Sequence, residues 1–249
     1  MVYLVFDLGN SRVKLARVAD GLLGPVLVHD TADFAADPGA ALAGFEGISG
    51  ALGVSTYQPA REALRRWLAK RGIEPVSARE RCPLAVEYGE RLAERLGDDR
   101  VLAAYAAVRE LGAPVAVVGC GTAVTVDLVQ FRDGEPVFAG GAILAGEGVI
   151  LAGLGKLGTL PGLEPTDAPP DAALGSTTEG CLRLGARVQV EAAVERLLAG
   201  FTKHLGLPPD QLPLLFHGGD APRYAAAYPR ATVRPFAVLE GCALVAAGL

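Results

Sequence analysis

A chain of 249 residues, 51% hydrophobic and 20% charged, can fill one large core or two cores of about 125 residues each, which excludes a disordered polymer. The formal net charge of −5, with no cluster of Lys or Arg to offset it, excludes a nucleic-acid surface. The opening MVYLVFDLGN has no secretory pattern, and the most apolar window, 139–157, is broken by Glu147, Lys156 and several glycines; neither a secreted nor a membrane-spanning protein is expected, and the chain reads as cytoplasmic.

Val2–Phe6 is an apolar run with strand character, Asp7-Leu8-Gly9-Asn10-Ser11 is turn chemistry, and Arg12–Val18 resumes as a strand. Residues 60–71 place Ala63, Leu64, Trp67 and Leu68 on one helical face, and Gly72 closes that helix. Residues 90–111 read as helix with a break at Leu96-Gly97, stopped by Gly112-Ala113-Pro114. The opening pattern then returns: strand 114–118, turn Gly119-Cys120-Gly121-Thr122-Ala123, strand Val124–Gln130. Hairpin residues Arg132-Asp133-Gly134-Glu135 lead to a third strand from Pro136 to Ala139. Residues 177–200 form a long helix, Leu212–Phe216 a strand closed by His217-Gly218-Gly219-Asp220, and 237–249 a helix of small apolar residues.

Val5-Phe6-Asp7-Leu8-Gly9-Asn10-Ser11 aligns with Val117-Val118-Gly119-Cys120-Gly121-Thr122-Ala123. An echo at so long a spacing indicates a duplicated domain rather than a solenoid. The expected architecture is α/β, with domains at 1–113 and 114–249. Cys82, Cys120, Cys181 and Cys242 lie far apart with no CxxC spacing, and His29, His204 and His217 lack ligand spacing. Reduced thiols are expected rather than a disulfide framework or a zinc site.

The common phosphate and nucleophile motifs fail. Gly155-Lys156 is followed by Leu157, so there is no P-loop; Gly119-Cys120-Gly121 leads into a strand, not a helix; Gly47-Ile48-Ser49-Gly50-Ala51 lacks the second glycine of a nucleophile elbow. The twin strand–turn–strand units remain as phosphate-handling candidates. A turn whose amides converge can cradle phosphate oxygens, and a carboxylate at a strand end can hold Mg²⁺ directly or through water. Asp7, Gly9, Asn10, Ser11 and Lys14 form the first set, Gly121-Thr122-Ala123 with Thr125 the second. A bare hairpin with capping side chains is the alternative for either alone.

Gly97-Asp98-Asp99-Arg100 at the helix break can serve catalysis, because a carboxylate there can take a proton from an acceptor hydroxyl while Arg binds a carboxylate bidentately. Either aspartate can equally cap the following helix. Gly140–Gly146 reads as a loop whose amides meet a ligand, or as a packing bend. Gly175-Ser176-Thr177-Thr178-Glu179 reads as a ligand loop or a capping box, and Gly218-Gly219-Asp220 as an adenosine-facing segment or a turn.

In this order the motifs resemble those of type III pantothenate kinases, over nearly the whole chain. The matches are D-x-G-N-[ST] with Lys (Asp7, Gly9, Asn10, Ser11, Lys14), L-G-x-D-R (Leu96, Gly97, Asp99, Arg100), G-T-A-x-T (Gly121, Thr122, Ala123, Thr125), G-G-x-I (Gly140, Gly141, Ile143), Thr159-Leu160-Pro161, and Gly175, Thr178 and Gly185. The resemblance implies two RNase H-like (actin-like ATPase) domains of mixed sheets flanked by helices, with ATP between them, and phosphorylation of pantothenate as the first step of coenzyme A synthesis. It implies that Asp7, Gly9, Asn10, Ser11, Lys14 and Thr122 handle ATP and Mg²⁺, with Asp7 reaching the metal through phosphate or water. Asp99 is then the base, and Tyr88, Gly97, Asp98, Asp99, Arg100 and Thr178 hold pantothenate. A homodimer and a monovalent cation, potassium or ammonium, complete the expectation. Three departures stand out. Gly119 occupies the place of the family's cation-contacting Asp, Ala145 that of a Pro, and Glu90 and Ala93 that of a Y-x-x-P, with Tyr88 two residues early. A degenerate or regulatory paralogue that binds nucleotide, or another small-molecule kinase of the superfamily, is the alternative reading.

Overall fold

The computed structural model describes residues 1–87, 96–166 and 174–248. The chain forms two compact units, one of Met1–Gly112, Arg132–Phe138 and Phe236–Leu249, the other of Ala113–Phe131 and Ala139–Pro235.

In the first unit, β1 (Val2–Leu8) and β2 (Arg12–Ala19) form an antiparallel hairpin in which Asp7 lies opposite Lys14 and Leu8 opposite Val13. β3 (Leu22–Leu23) and β4 (Leu27–Asp30) both pair with β2; β5 (Gly50–Ser55) runs parallel to β1, and β6 (Val76–Ser77) parallel to β5. The order is β3-β2-β1-β5-β6. Alternation divides β1 between two faces. Leu4, Phe6 and Leu8 pack with Phe34, Leu42, Phe45, Leu64 and Leu68 from the segments following β4 and β5. These segments include α1 (Thr31–Ala36), α2 (Gly39–Leu42) and α3 (Gln58–Ala69). α3 starts two residues before the expected helix and buries the expected Ala63, Leu64 and Leu68.

Asp7 therefore points to the opposite face, where α4 (Asp98–Leu111) packs against the helix α8 (Ala237–Ala247), and α8 packs against β1. Residues Val101–Ala107 of α4 are buried without a break. Their approach to α8 depends on Gly241, since a Cβ there would collide with the carbonyl oxygen of Leu102. The helix over 237–247, counted above with the second half of the chain, thus belongs to the first unit.

In the second unit, β8 (Val115–Cys120) and β9 (Ala123–Arg132) are antiparallel; β10 (Glu135–Ala145) lies beyond β9, while β11 (Leu214–His217) and β12 (Thr232–Val233) run parallel on the other side. Near its hairpin end β10 also pairs with β7 (Ala85–Val86) through Val137 and Phe138, residues that group with the first unit. The path β10-β9-β8-β11-β12 repeats that of the first sheet, hairpin antiparallel and later strands parallel. α5 (Glu147–Gly155), α6 (Thr178–Leu205) and α7 (Ala221–Ala225) complete the unit. Val190, Val194 and Leu198 of α6 meet Val118, Val124, Val126 and Phe216 of the sheet. Gly206, at φ 67°, ends α6 in the left-handed conformation, which glycine adopts without a Cβ clash.

One reading is corrected here. Gly140–Gly146 is not a loop: β10 continues through it to Ala145, because Gly141 lets the strand lie against the backbone of Val126 and Asp127. Among the described residues no helix is long and apolar enough to cross a membrane.

Candidate active site

The first glycine turn closes with the Gly9 amide donating to the Arg12 carbonyl at 3.0 Å, which leaves Asn10 and Ser11 exposed at the tip. Thr31, only 2% exposed at the start of α1, braces it: its hydroxyl donates to the Gly9 carbonyl at 2.9 Å and its amide to the Ser11 carbonyl at 3.3 Å. Sequence reasoning missed Thr31. Its only signal was a position just after the α1 N-cap Asp30, whose carboxylate accepts from the Ala32 amide at 2.9 Å.

Asp7, next to last in β1, is 7% exposed, and its Oδ2 accepts from Lys14 Nζ at 2.9 Å. The pair follows from directly opposite positions in the hairpin, where side chains share a face.

On that face lies the start of α4. Gly97 holds the N-cap position without a side-chain cap, and Asp98 and Asp99 both sit in the first turn, so neither aspartate is the N-cap. Asp98 turns toward the Ser77 hydroxyl and Arg79; burial raises its carboxyl above the ordinary value, Arg79 and the Ser77 hydrogen bond lower it, and Glu80 raises it. Asp99 folds back over Gly97, where a Cβ would lie 2.6 Å from Asp99 Oδ1. Burial raises the Asp99 carboxyl, and the negative charge of Asp7 raises it further. Hydrogen bonds from the Arg100 and Asp99 amides and the charge of Arg100 work in the other direction. The Arg100 guanidinium lies 5.6 Å from the Phe138 ring centre.

The first unit thus brings together Asp7, Lys14 and Asp99, with Gly97, Asp98 and Arg100 at the same helix start. Two carboxylates coupled in this way suit proton transfer, because one charged neighbour and a dry setting make the other a better base than a surface aspartate.

In the second unit the turn is tighter. Gly119 pairs with Thr125, six residues on, whereas Asp7 pairs with Lys14, seven residues on, so the echoed turn is one residue shorter. The Gly121 amide donates to the Ala123 carbonyl at 3.2 Å, and Thr122 is exposed. Two of the other glycine segments converge here. The Gly146 amide donates to the Thr122 carbonyl at 3.0 Å, and a Cβ on Gly146 would lie 2.7 Å from that oxygen. Gly218, at φ +93°, lies against the Cys120 carbonyl, to which the Asp220 amide donates at 3.2 Å.

Beside the turn, Glu147 is buried and accepts at one oxygen from Arg187 Nε at 3.0 Å, Arg223 Nη1 at 3.2 Å and the Tyr224 hydroxyl at 3.3 Å. Burial, and then the charge of Glu147, push the Tyr224 hydroxyl up in pKa. Sequence reasoning passed over this cluster, because Glu147, Arg187 and the adjacent Arg223 and Tyr224 come from three separate stretches of the chain that only α5, α6 and α7 bring together. Asp127, 1% exposed beside Gly141, was also missed. Thr177 caps α6 by accepting from the Gly180 amide at 3.0 Å, so Thr178 is the first helical residue and stands exposed. Tyr88 lies outside the described residues.

A family model described as type III pantothenate kinase matches residues 3–200. Proteins of that name include one from Roseiflexus sp. (strain RS-1), 28% identical over 97% of both chains, and one from Xanthomonas campestris pv. campestris (strain B100), 32% identical over 96% of this chain and 95% of its own. Among solved structures, one from Campylobacter jejuni described as a conserved Baf family transcriptional activator superposes with a TM-score of 0.61 at 18% identity, covering 97% of this chain and 96% of its own. The activator of 2-hydroxyisocaproyl-CoA dehydratase from Clostridium difficile, with bound ADPNP, gives 0.51 at 11% identity over 100% and 94%. At those identities the structures speak for the fold alone, two mixed α/β sheets flanked by helices. By its family match and its relatives the chain belongs to the type III pantothenate kinases, enzymes that phosphorylate pantothenate with ATP in coenzyme A biosynthesis.

Proposed function

We propose that Asp99 is the base of this pantothenate kinase and that the Asp7–Lys14 pair and the two glycine turns handle the triphosphate. The observation that carries the reading is the convergence of Asp99 on the Asp7 face of the first unit, with its carboxyl raised by burial and by Asp7. The pantothenate hydroxyl gives its proton to Asp99 as its oxygen bonds to the γ-phosphorus. The bond from that phosphorus to the β–γ bridging oxygen breaks, and ADP leaves with those electrons. Lys14 draws negative charge toward itself, and the amides and hydroxyls at Asn10, Ser11 and Thr122 hold phosphate oxygens. Arg100 takes the pantothenate carboxylate, with Gly97, Asp98 and Thr178 as the further contacts.

Mg²⁺ accompanies ATP in this chemistry and neutralises charge on the phosphates. The residues fit a metal that arrives with its nucleotide, since Asp7 offers one carboxylate and no group of three or more His, Cys, Asp or Glu that could hold a metal exists among the described residues. As in the family it resembles, the chain is read as a homodimer, which light scattering on the purified protein tests.

The decisive experiment is formation of 4′-phosphopantothenate from ATP, Mg²⁺ and pantothenate. Asp99→Asn is expected to lower kcat by roughly 10²–10⁴-fold. Retention of full turnover by that variant removes Asp99 from the mechanism.

A further inference from the structure

The donor set for a potassium or ammonium ion fails at the position where the resemblance puts it. Gly119 supplies no side chain, and the space beside it is taken. β8 lies between β9 and β11, with Gly119 opposite Thr125 on one side and His217 on the other. Both neighbours lean over the glycine. A Cβ at 119 would lie 2.7 Å from Thr125 Oγ1, 2.8 Å from His217 Nε2 and 3.0 Å from His217 Cε1. An aspartate would therefore have to displace an imidazole and a hydroxyl. Hard cations take oxygen ligands, and an imidazole nitrogen is a poor substitute that repels a cation once protonated.

The ring is also held in place by its surroundings. His217 closes β11, and the next residue, Gly218, lies against the Cys120 carbonyl one step from the second turn. The Gly218 amide donates to the Pro235 carbonyl at 3.1 Å, which fixes the chain just after the ring. A ring nitrogen of His217 thus lies over Gly119, where the resemblance would have an aspartate hold the cation.

We infer that His217 takes the cation's place as a positioning residue for the triphosphate, and that this chain phosphorylates pantothenate without a monovalent cation. The inference rests on the reading of the Gly121–Thr122 turn as a phosphate turn.

The test compares ATP-dependent pantothenate phosphorylation in potassium, ammonium, lithium and tetramethylammonium chlorides at equal ionic strength. Rate and KM for ATP are expected to agree within a factor of two, and any larger stimulation by potassium or ammonium overturns the inference. Thallium(I), a potassium surrogate, is titrated against the full chain without nucleotide by ²⁰⁵Tl NMR. No saturable binding is expected, and saturable binding displaced by potassium overturns the inference independently of turnover. His217→Ala is expected to raise KM for ATP about tenfold, and an unchanged KM removes the positioning role. Gly119→Asp combined with His217→Ala is expected to acquire a potassium response that neither loss of packing nor a structural histidine would create. If this double variant does not fold, the salt comparison and the thallium titration of the unaltered chain still decide. Absence of phosphorylation in every salt counts against the kinase reading, while the thallium titration continues to judge the cation site.

Discussion

As the proposed base, Asp99 carries opposite consequences for activity and stability. Its carboxyl is raised in the folded chain, so the native state favours the protonated form relative to the unfolded state. That contribution is complete below the ordinary carboxylate value and is lost as pH rises through the raised one. At neutral pH an ionised Asp99 therefore weakens the fold, and Asp99→Asn is expected to keep or raise the melting temperature while abolishing most turnover. Thermal unfolding of the two proteins at pH 7.5 checks this, and a clear drop in melting temperature contradicts it. Because burial comes first and Asp7 second, Asp7→Asn is expected to lower the Asp99 carboxyl without returning it to the ordinary value. A carboxyl ¹³C NMR titration reads this directly, and an unmoved midpoint removes the Asp7 contribution. Asp7, Lys14 and Asp99 were legible in the sequence because each sits beside a local signal, a strand end before a glycine turn or a helix break. Thr31 and His217 were not, since Thr31 bonds to a turn 22 residues earlier and His217 meets Gly119 only through the pairing of β11 with β8.

At the scale of elements, close approach is concentrated at a few glycines. α4 is buried on every side from Val101 to Ala107, and α8 reaches it at Gly241. Gly241→Ala is expected to cost roughly 1–3 kcal/mol, the usual range for overpacking, as a fall in the urea midpoint with the slope unchanged. The buried Glu147 cluster joins α5, α6 and α7. Arg187→Ala removes one of two arginines from Glu147 and is expected to cost toward the lower end of roughly 3–5 kcal/mol, since Arg223 and Tyr224 remain. Urea unfolding measures it, and a neutral effect shows that Arg223 alone satisfies the carboxylate. Periodicity located α3, α6 and α8 to within a few residues, because their apolar positions recur at helical spacing. It failed at Gly140–Gly146, where glycine suggested a loop but in fact permits tight strand pairing.

At the scale of the whole molecule, the duplication visible in two glycine turns reappears as two sheets with the same strand path. What the linear echo does not disclose is ownership of α8. The helix follows the second sheet in the chain but covers β1 and α4 of the first unit. A chain lacking residues 237–249 is expected to lose protection from hydrogen exchange in β1, β2 and α4 ahead of β8 and β9. Equal protection with and without the segment contradicts the assignment.

That ownership also dictates a schedule for synthesis. With translation at about 5–20 residues per second, the stretch from Ala113 to Pro235 occupies the ribosome for on the order of ten seconds after α4 has been made. Through that interval the nascent first unit waits with a greasy flank uncovered, while the later-made unit has its full complement of residues sooner, so the half begun first is the half finished second.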